Sequence, residues 1–289
     1  MTYMHEHLRI DLSGEKGDID CLLDEFDNIC AEFTDLAGRG LRRVVDLSCR
    51  GMGRDYDYLD RMEKAAGIEV VISTGFYKDP FLPSVAETSS IQELSVLMID
   101  DIEKGSEGSS RKAKIIGEIG SSHNRMTENE EKVYRAAALA HEKTGVPIST
   151  HTTLGSMGME QIVLLKSLGI NPEKIIIGHL DLADDLDLIL KVLDTGAYVE
   201  FDTIGKIKYL PDEKRIDFIK ACCDKSYSKQ LLLSMDITRR SHLKANGGIG
   251  YAYLLDSFLP RLRQAGISEA AIEDMLVVNP DRIFKGAVQ

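Results

Sequence analysis

One pattern of apolar and polar positions recurs along the chain. A stretch with apolar residues every three to four positions ends at a glycine, and a short run rich in Val and Ile follows. Gly40 precedes LRRVVDLS, Gly67 precedes IEVVIST, Gly145 precedes VPIST, Gly169 precedes INPEKIII and Gly196 precedes AYVEF. Glycine suits the position just past a helix, where it takes left-handed backbone without a Cβ penalty. The runs are continuously apolar, as expected of parallel strands covered on their outer face. Eight strands are predicted, at 5–10, 43–48, 70–74, 115–119, 147–151, 174–179, 198–202 and 231–236. Helices are predicted between them. Thr127-Glu128-Asn129-Glu130 reads as a capping box, Pro211 marks a helix start, and 159–168 and 186–193 are apolar-periodic. The spacing is that of βα units, and eight of them make a single (β/α)8 TIM barrel of α/β class, one domain over 1–289. A doubly wound open sheet is disfavoured, because no GxGxxG follows an early strand.

Polar residues then change the picture. His5 and His7 lie two apart on the first strand, so both imidazoles face the same side. Glu118 ends the fourth strand, His151 the fifth, His179 the sixth and Asp236 the eighth. Barrel active sites form from such C-terminal strand ends. Six nitrogen and oxygen donors exceed the three that a catalytic zinc takes from protein. They suit two divalent metals that share Glu118 and a hydroxide. A lone strand-end histidine is more often a hydrogen-bonded core or loop residue, but one explanation covers all six positions here. His141, mid-helix, and His123, in the loop after the fourth strand, stand outside the set.

Composition narrows the functional class. The 289 residues carry 47 acidic against 35 basic side chains, a formal charge of −12. That argues against nucleic acid and against an anionic membrane surface as partner. A local basic pocket for a small anionic substrate stays compatible with an acidic whole. Five cysteines without a CxxC motif, and no signal-like or spanning apolar segment, point to a reducing cytoplasm. Adjacent Cys222 and Cys223 read as helix residues rather than a redox pair.

HEHL at 5–8, STHT at 149–152, GHLD at 178–181, FDTIGK at 201–206 and SMDITRRSHLKANGG at 234–248 stand in an order and spacing that resemble the phosphotriesterase family of the amidohydrolase superfamily, over essentially the whole chain. The resemblance implies that His5, His7 and Asp236 hold the more buried metal and that His151 and His179 hold the more exposed one. Many family members bridge the metals with a carboxylated lysine; here GEIG places Glu118 there, as in one branch of the family. Only four residues precede His5, fewer than family members usually have, so the expectation is that either the chain starts late or the first strand is short.

The implied chemistry is hydrolysis. Two ions, zinc first with Mn, Co or Ni as alternatives, acidify a bridging water and polarise the substrate oxygen. Asp236 takes the proton and returns it to the leaving group. Lys206 follows the seventh strand and Arg239 and His242 follow the eighth, a recurrent phosphate position in barrels. They are the expected substrate-binding residues, with Lys206 and Arg239 leading. The preferred substrate is a small lactone or ester, anionic or phosphorylated and sugar-like. Phosphotriesters or phosphodiesters, a mononuclear deaminase, and a catalytically silent metal-binding barrel are the alternatives. Family precedent points to a homodimer.

Overall fold

A computed structural model describes residues 1–285, so residues 286–289 of the expected domain lie outside it. Eight strands alternate with helices. They are β1 (Thr2–Glu6), β2 (Arg43–Asp46), β3 (Glu69–Thr74), β4 (Ile115–Ser121), β5 (Ile148–Thr152), β6 (Ile175–Gly178), β7 (Tyr198–Phe201) and β8 (Leu231–Leu233). Between them lie α1 (Phe26–Gly38), α2 (Tyr56–Ala66), α3 (Ile91–Glu103), α4 (Glu128–Thr144), α5 (Gly158–Ser167), α6 (Leu186–Asp194) and α7 (Asp212–Asp224). Strand order in the sheet is chain order, which is the (β/α)8 pattern. The local signals act as read. Thr127 caps α4 in a reciprocal pair with Glu130, Gly145 ends it in left-handed backbone, and Pro211 is the N-cap of α7.

The chain divides into two compact units. The first comprises 1–46, 53–70 and 201–280. In it β1 pairs in parallel with β2, Thr2 against Arg43 and Glu6 against Asp46. β1 also meets the residues after β8: Met4 N and His5 N both donate to Ser234 Oγ (2.8 and 2.9 Å), and Asp236 N donates to His5 O (3.3 Å). Its core includes Phe33 and Tyr251, whose ring centroids are 4.5 Å apart. The second unit comprises 47–52, 71–200 and the described residues from 281 on. There β4, β5 and β6 pair in parallel, with a register shift between Ile116 and Ile119, Gly120 beside His151 and His151 beside Gly178. Every position of β4 and β6 is buried, which is why those strands are rich in isoleucine, with Glu118 the charged exception in β4.

Two strands differ from their expected bounds by three residues or more, for visible reasons. The first runs Thr2–Glu6 rather than 5–10. Leu8 N donates to the Asp46 carboxylate instead of a strand carbonyl (2.7 Å), and Ile10–Asp11 turns to pair antiparallel with Leu22–Leu23. The eighth stops at Leu233, because the Glu6 carboxylate takes the amides of Met235 and Ile237 (2.7 and 3.3 Å). All five cysteines are free, and Cys222 and Cys223 lie in α7. Among the described residues, no helix is long and apolar enough to cross a membrane.

Candidate metal centre

In the first unit β1 delivers His5, and His7 follows just past its end; both are fully buried. Asp236 lies three residues beyond β8 in left-handed backbone (φ 48°), a conformation that non-glycine residues adopt seldom and mostly where function holds them. Its Oδ1 is 3.3 Å from His7 Nε2 and 3.9 Å from His5 Nε2. Its other oxygen, Oδ2, receives the ammonium of Lys206. Behind His5, Asp202 places Oδ2 3.2 Å from Nδ1 and is itself fully buried. Glu6, between the two histidines, turns to the backbone of the β8 exit. Burial pushes its carboxyl up to about 8, against the pull of those two amides.

The second unit brings together Glu118, His151 and His179. Glu118 Oε2 is 3.0 Å from His151 Nδ1 and 3.4 Å from His179 Nε2, and the two imidazoles meet edge to face at 4.5 Å. The three ligand atoms lie within 4.8 Å of one another. His179, like Asp236, sits just past its strand in left-handed backbone (φ 58°). Gly117 sets the approach of Glu118. It has φ 137°, and a Cβ there would lie 2.3 Å from Ser149 O on β5, so only glycine lets the strands close at this point. Cys49 Sγ donates to Glu118 O at 3.2 Å from behind. Burial first, and then His179, pushes His151 down to about 4 despite the opposing Glu118. The ring is therefore neutral near pH 7, the form that ligates a metal.

These separations fit a cation. Bonds of about 2.0–2.2 Å at tetrahedral angles put neighbouring ligand atoms about 3.3–3.5 Å apart. Donor–donor distances of 3.0, 3.4, 3.3 and 3.9 Å bracket that value. Imidazole with carboxylate is also the donor chemistry of Zn, Mn, Co and Ni sites. Asp202 behind His5 is the carboxylate that commonly fixes a ligating imidazole's tautomer and rotation. Asp202→Asn is accordingly expected to weaken metal affinity roughly 10- to 100-fold. Competition against a chromogenic chelator measures it; an unchanged affinity would remove Asp202 from this role.

Lys206, Arg239 and His242, expected at the substrate, line one cavity of about 670 Å³ in the first unit, with Asp20, Tyr209 and Ile249 among the other walls. Two of them are already engaged by carboxylates. Lys206 holds Asp236, and Arg239 donates to Asp18 (2.7 Å) and Asp20 (3.3 Å). Burial first, then Lys206, pushes His242 down to about 4, so it is an uncharged hydrogen-bonding group here. Arg215 anchors the loop that carries Lys206. It donates to Asp212 (3.0 Å) and Thr203 (2.8 Å), and Gly205 N also donates to Asp212 (3.0 Å). His123 is exposed and His141 bonds the Val146 carbonyl (2.7 Å), both apart from the donor sets.

Three residues of the site were not anticipated as such. Asp202 directly follows β7 and obeys the same strand-end rule as the ligands, so that rule could have found it. Tyr77 and Lys78 lie on the loop after β3. Tyr77 OH is 3.2 and 3.3 Å from the two ring nitrogens of His151, and no periodicity marks a loop residue in advance.

A (β/α)8 chain with histidine and carboxylate donors at its strand ends belongs to the class of metal-dependent hydrolases. The model of the phosphotriesterase family matches residues 1–284, and the chain belongs to that family. It is 52% identical to phosphotriesterase homology protein of Escherichia coli, covering 98% of this chain and 97% of that one. The crystal structure of that relative, complexed with phosphate in its active site, superposes with a TM-score of 0.97 over 98% of both chains. An aryldialkylphosphatase of Saccharolobus solfataricus is 32% identical over 98% of this chain and 94% of its own length. A phospho-furanose lactonase of Mycoplasmopsis synoviae is 33% identical over 92% and 82%. The chain is thus a hydrolase on a (β/α)8 fold that acts on small molecules.

Proposed function

We propose that the chain is one barrel domain whose two donor sets serve one binuclear centre. In it His5, His7 and Asp236 hold one divalent ion, His151 and His179 hold the other, and Glu118 is shared. The observation that carries the reading is that each set places imidazole nitrogens around a buried carboxylate oxygen at the edge length of a metal polyhedron. When bound, such ions, zinc before Mn, Co or Ni, supply an ionised water at neutral pH and polarise the substrate oxygen. The protein does the rest. Asp236 takes the nucleophile's proton and returns it to the leaving group. Lys206 orients Asp236 through Oδ2, leaving Oδ1 toward the histidines. Tyr77 holds the His151 ring by its edge.

The substrate we infer is a lactone or carboxylic ester, small, anionic or phosphorylated and sugar-like. A relative named phospho-furanose lactonase supports that class, and the cavity lined by Lys206, Arg239 and His242 supports a polar ligand. The aryldialkylphosphatase relative keeps phosphoester hydrolysis as the second reading. The test is a pH-indicator screen of phosphorylated and free sugar lactones, with phosphotriesters in parallel, on protein loaded with Zn, Mn or Co. Hydrolysis of phosphorylated lactones is expected. Lys206→Ala and Arg239→Ala should each raise KM for them while keeping the metal, and Lys206→Ala should also lower kcat through Asp236. Turnover of phosphotriesters alone would favour the second reading; no turnover with any metal would sink both.

A further inference from the structure

Lys206 and Arg239, on the loops after β7 and β8, are cations of the first unit. In the second unit a further cation sits on the loop whose Tyr77 meets His151. Lys78 follows Tyr77 on the loop after β3, and its stem packs at Gly120, two residues past Glu118. A Cβ at Gly120 would lie 3.1 Å from Lys78 Cβ and 3.2 Å from His151 Cβ, so the lysine and the histidine flank the same glycine. The ammonium is held in place. It lies 5.5 Å from the Tyr77 ring centroid and 5.4 Å from that of Phe81, and it donates to Asp79 O at 3.1 Å. Two aromatic faces and a hydrogen bond fix a side chain that otherwise carries much rotamer entropy, which lowers the cost of using its charge.

We propose that Lys78 is a specificity-determining cation of this site, holding a carboxylate or phosphate group of the substrate while the reacting carbonyl lies against Glu118, His151 and His179. The proposal rests on the hydrolase reading above and adds a residue and a ligand class to it. An ammonium is a compact charge with three rotatable protons, so it accepts any small oxyanion and imposes little geometry. Gly120 belongs to the same device. Any larger residue there would push Lys78 and His151 apart.

The test uses zinc-loaded protein, inorganic phosphate as the probe in calorimetric titration, and a matched pair of esters, 4-nitrophenyl acetate and mono(4-nitrophenyl) succinate. Lys78→Met should weaken phosphate roughly tenfold, in the range of a lost charge-assisted contact. It should raise KM for the succinate ester by a similar factor and leave KM for the acetate within about twofold. Lys78→Arg should recover most of both losses, and metal content should stay at the parent's value in both variants. Phosphate affinity unchanged in Lys78→Met, equal KM changes for the two esters, or a parent that binds no phosphate would each overturn the proposal. Absence of turnover in the parent with every ester would count against the hydrolase reading instead, and the phosphate titration would still decide on Lys78.

Discussion

Glu118→Gln is expected to cut bound metal from two ions to at most one per chain and to lower kcat/KM by a factor of about 10³ or more, roughly 4 kcal/mol of transition-state stabilisation. Its Oε2 lies 3.0 Å from His151 Nδ1 and 3.4 Å from His179 Nε2, and the residue is 2% exposed. An amide of the same size keeps the shape and loses the charge that balances a dication. The variant also separates metal loss from misfolding. A buried carboxylate beside the neutral His151 imidazole is costly in the metal-free protein. Metal-free Glu118→Gln should therefore melt no lower than the metal-free parent, while the rise in melting temperature on adding zinc shrinks with the lost binding free energy. A variant that kept the parent's metal content and turnover would remove Glu118 from the centre.

Asp236→Asn should have the next largest effect, lowering kcat about 10³-fold or more by removing a proton acceptor together with a metal-facing oxygen. Asparagine is the informative replacement because it tolerates the left-handed backbone that Asp236 occupies at φ 48°, so the exit of β8 keeps its course. The loss should fall mainly on kcat, since the cavity lined by Arg239 and His242 is left in place. Steady-state kinetics beside metal analysis reads both quantities. A kcat within tenfold of the parent would mean that another group carries the proton.

Much of this was legible in sequence because the physics is local. Parallel strands buried on both faces read as continuous Val and Ile runs, and helices announced themselves by Thr127 with Glu130 and by Gly145. Donors at strand ends follow from the period of a strand, which is why His151 and Glu118 could be picked out. Less legible was what distant segments do to one another. The first strand shifted toward the N-terminus because Asp46 intercepts the Leu8 amide, a contact across 38 residues. Arg239 read as an open cation, but Asp18, 221 residues earlier in the chain, holds it. Asp202 was within reach of the strand-end rule, since it directly follows the last residue of β7. Tyr77 and Lys78 owe their roles to loop geometry, which has no sequence period.

The central claim is that the two donor sets hold a pair of cations with Glu118 between them. Diffraction from zinc-soaked crystals on either side of the zinc absorption edge tests it directly. The account predicts two anomalous peaks per chain, about 3.5–4 Å apart, one beside His5, His7 and Asp236 and the other beside His151 and His179, with Glu118 reaching both. A single peak, or none at these residues under saturating zinc, would contradict it.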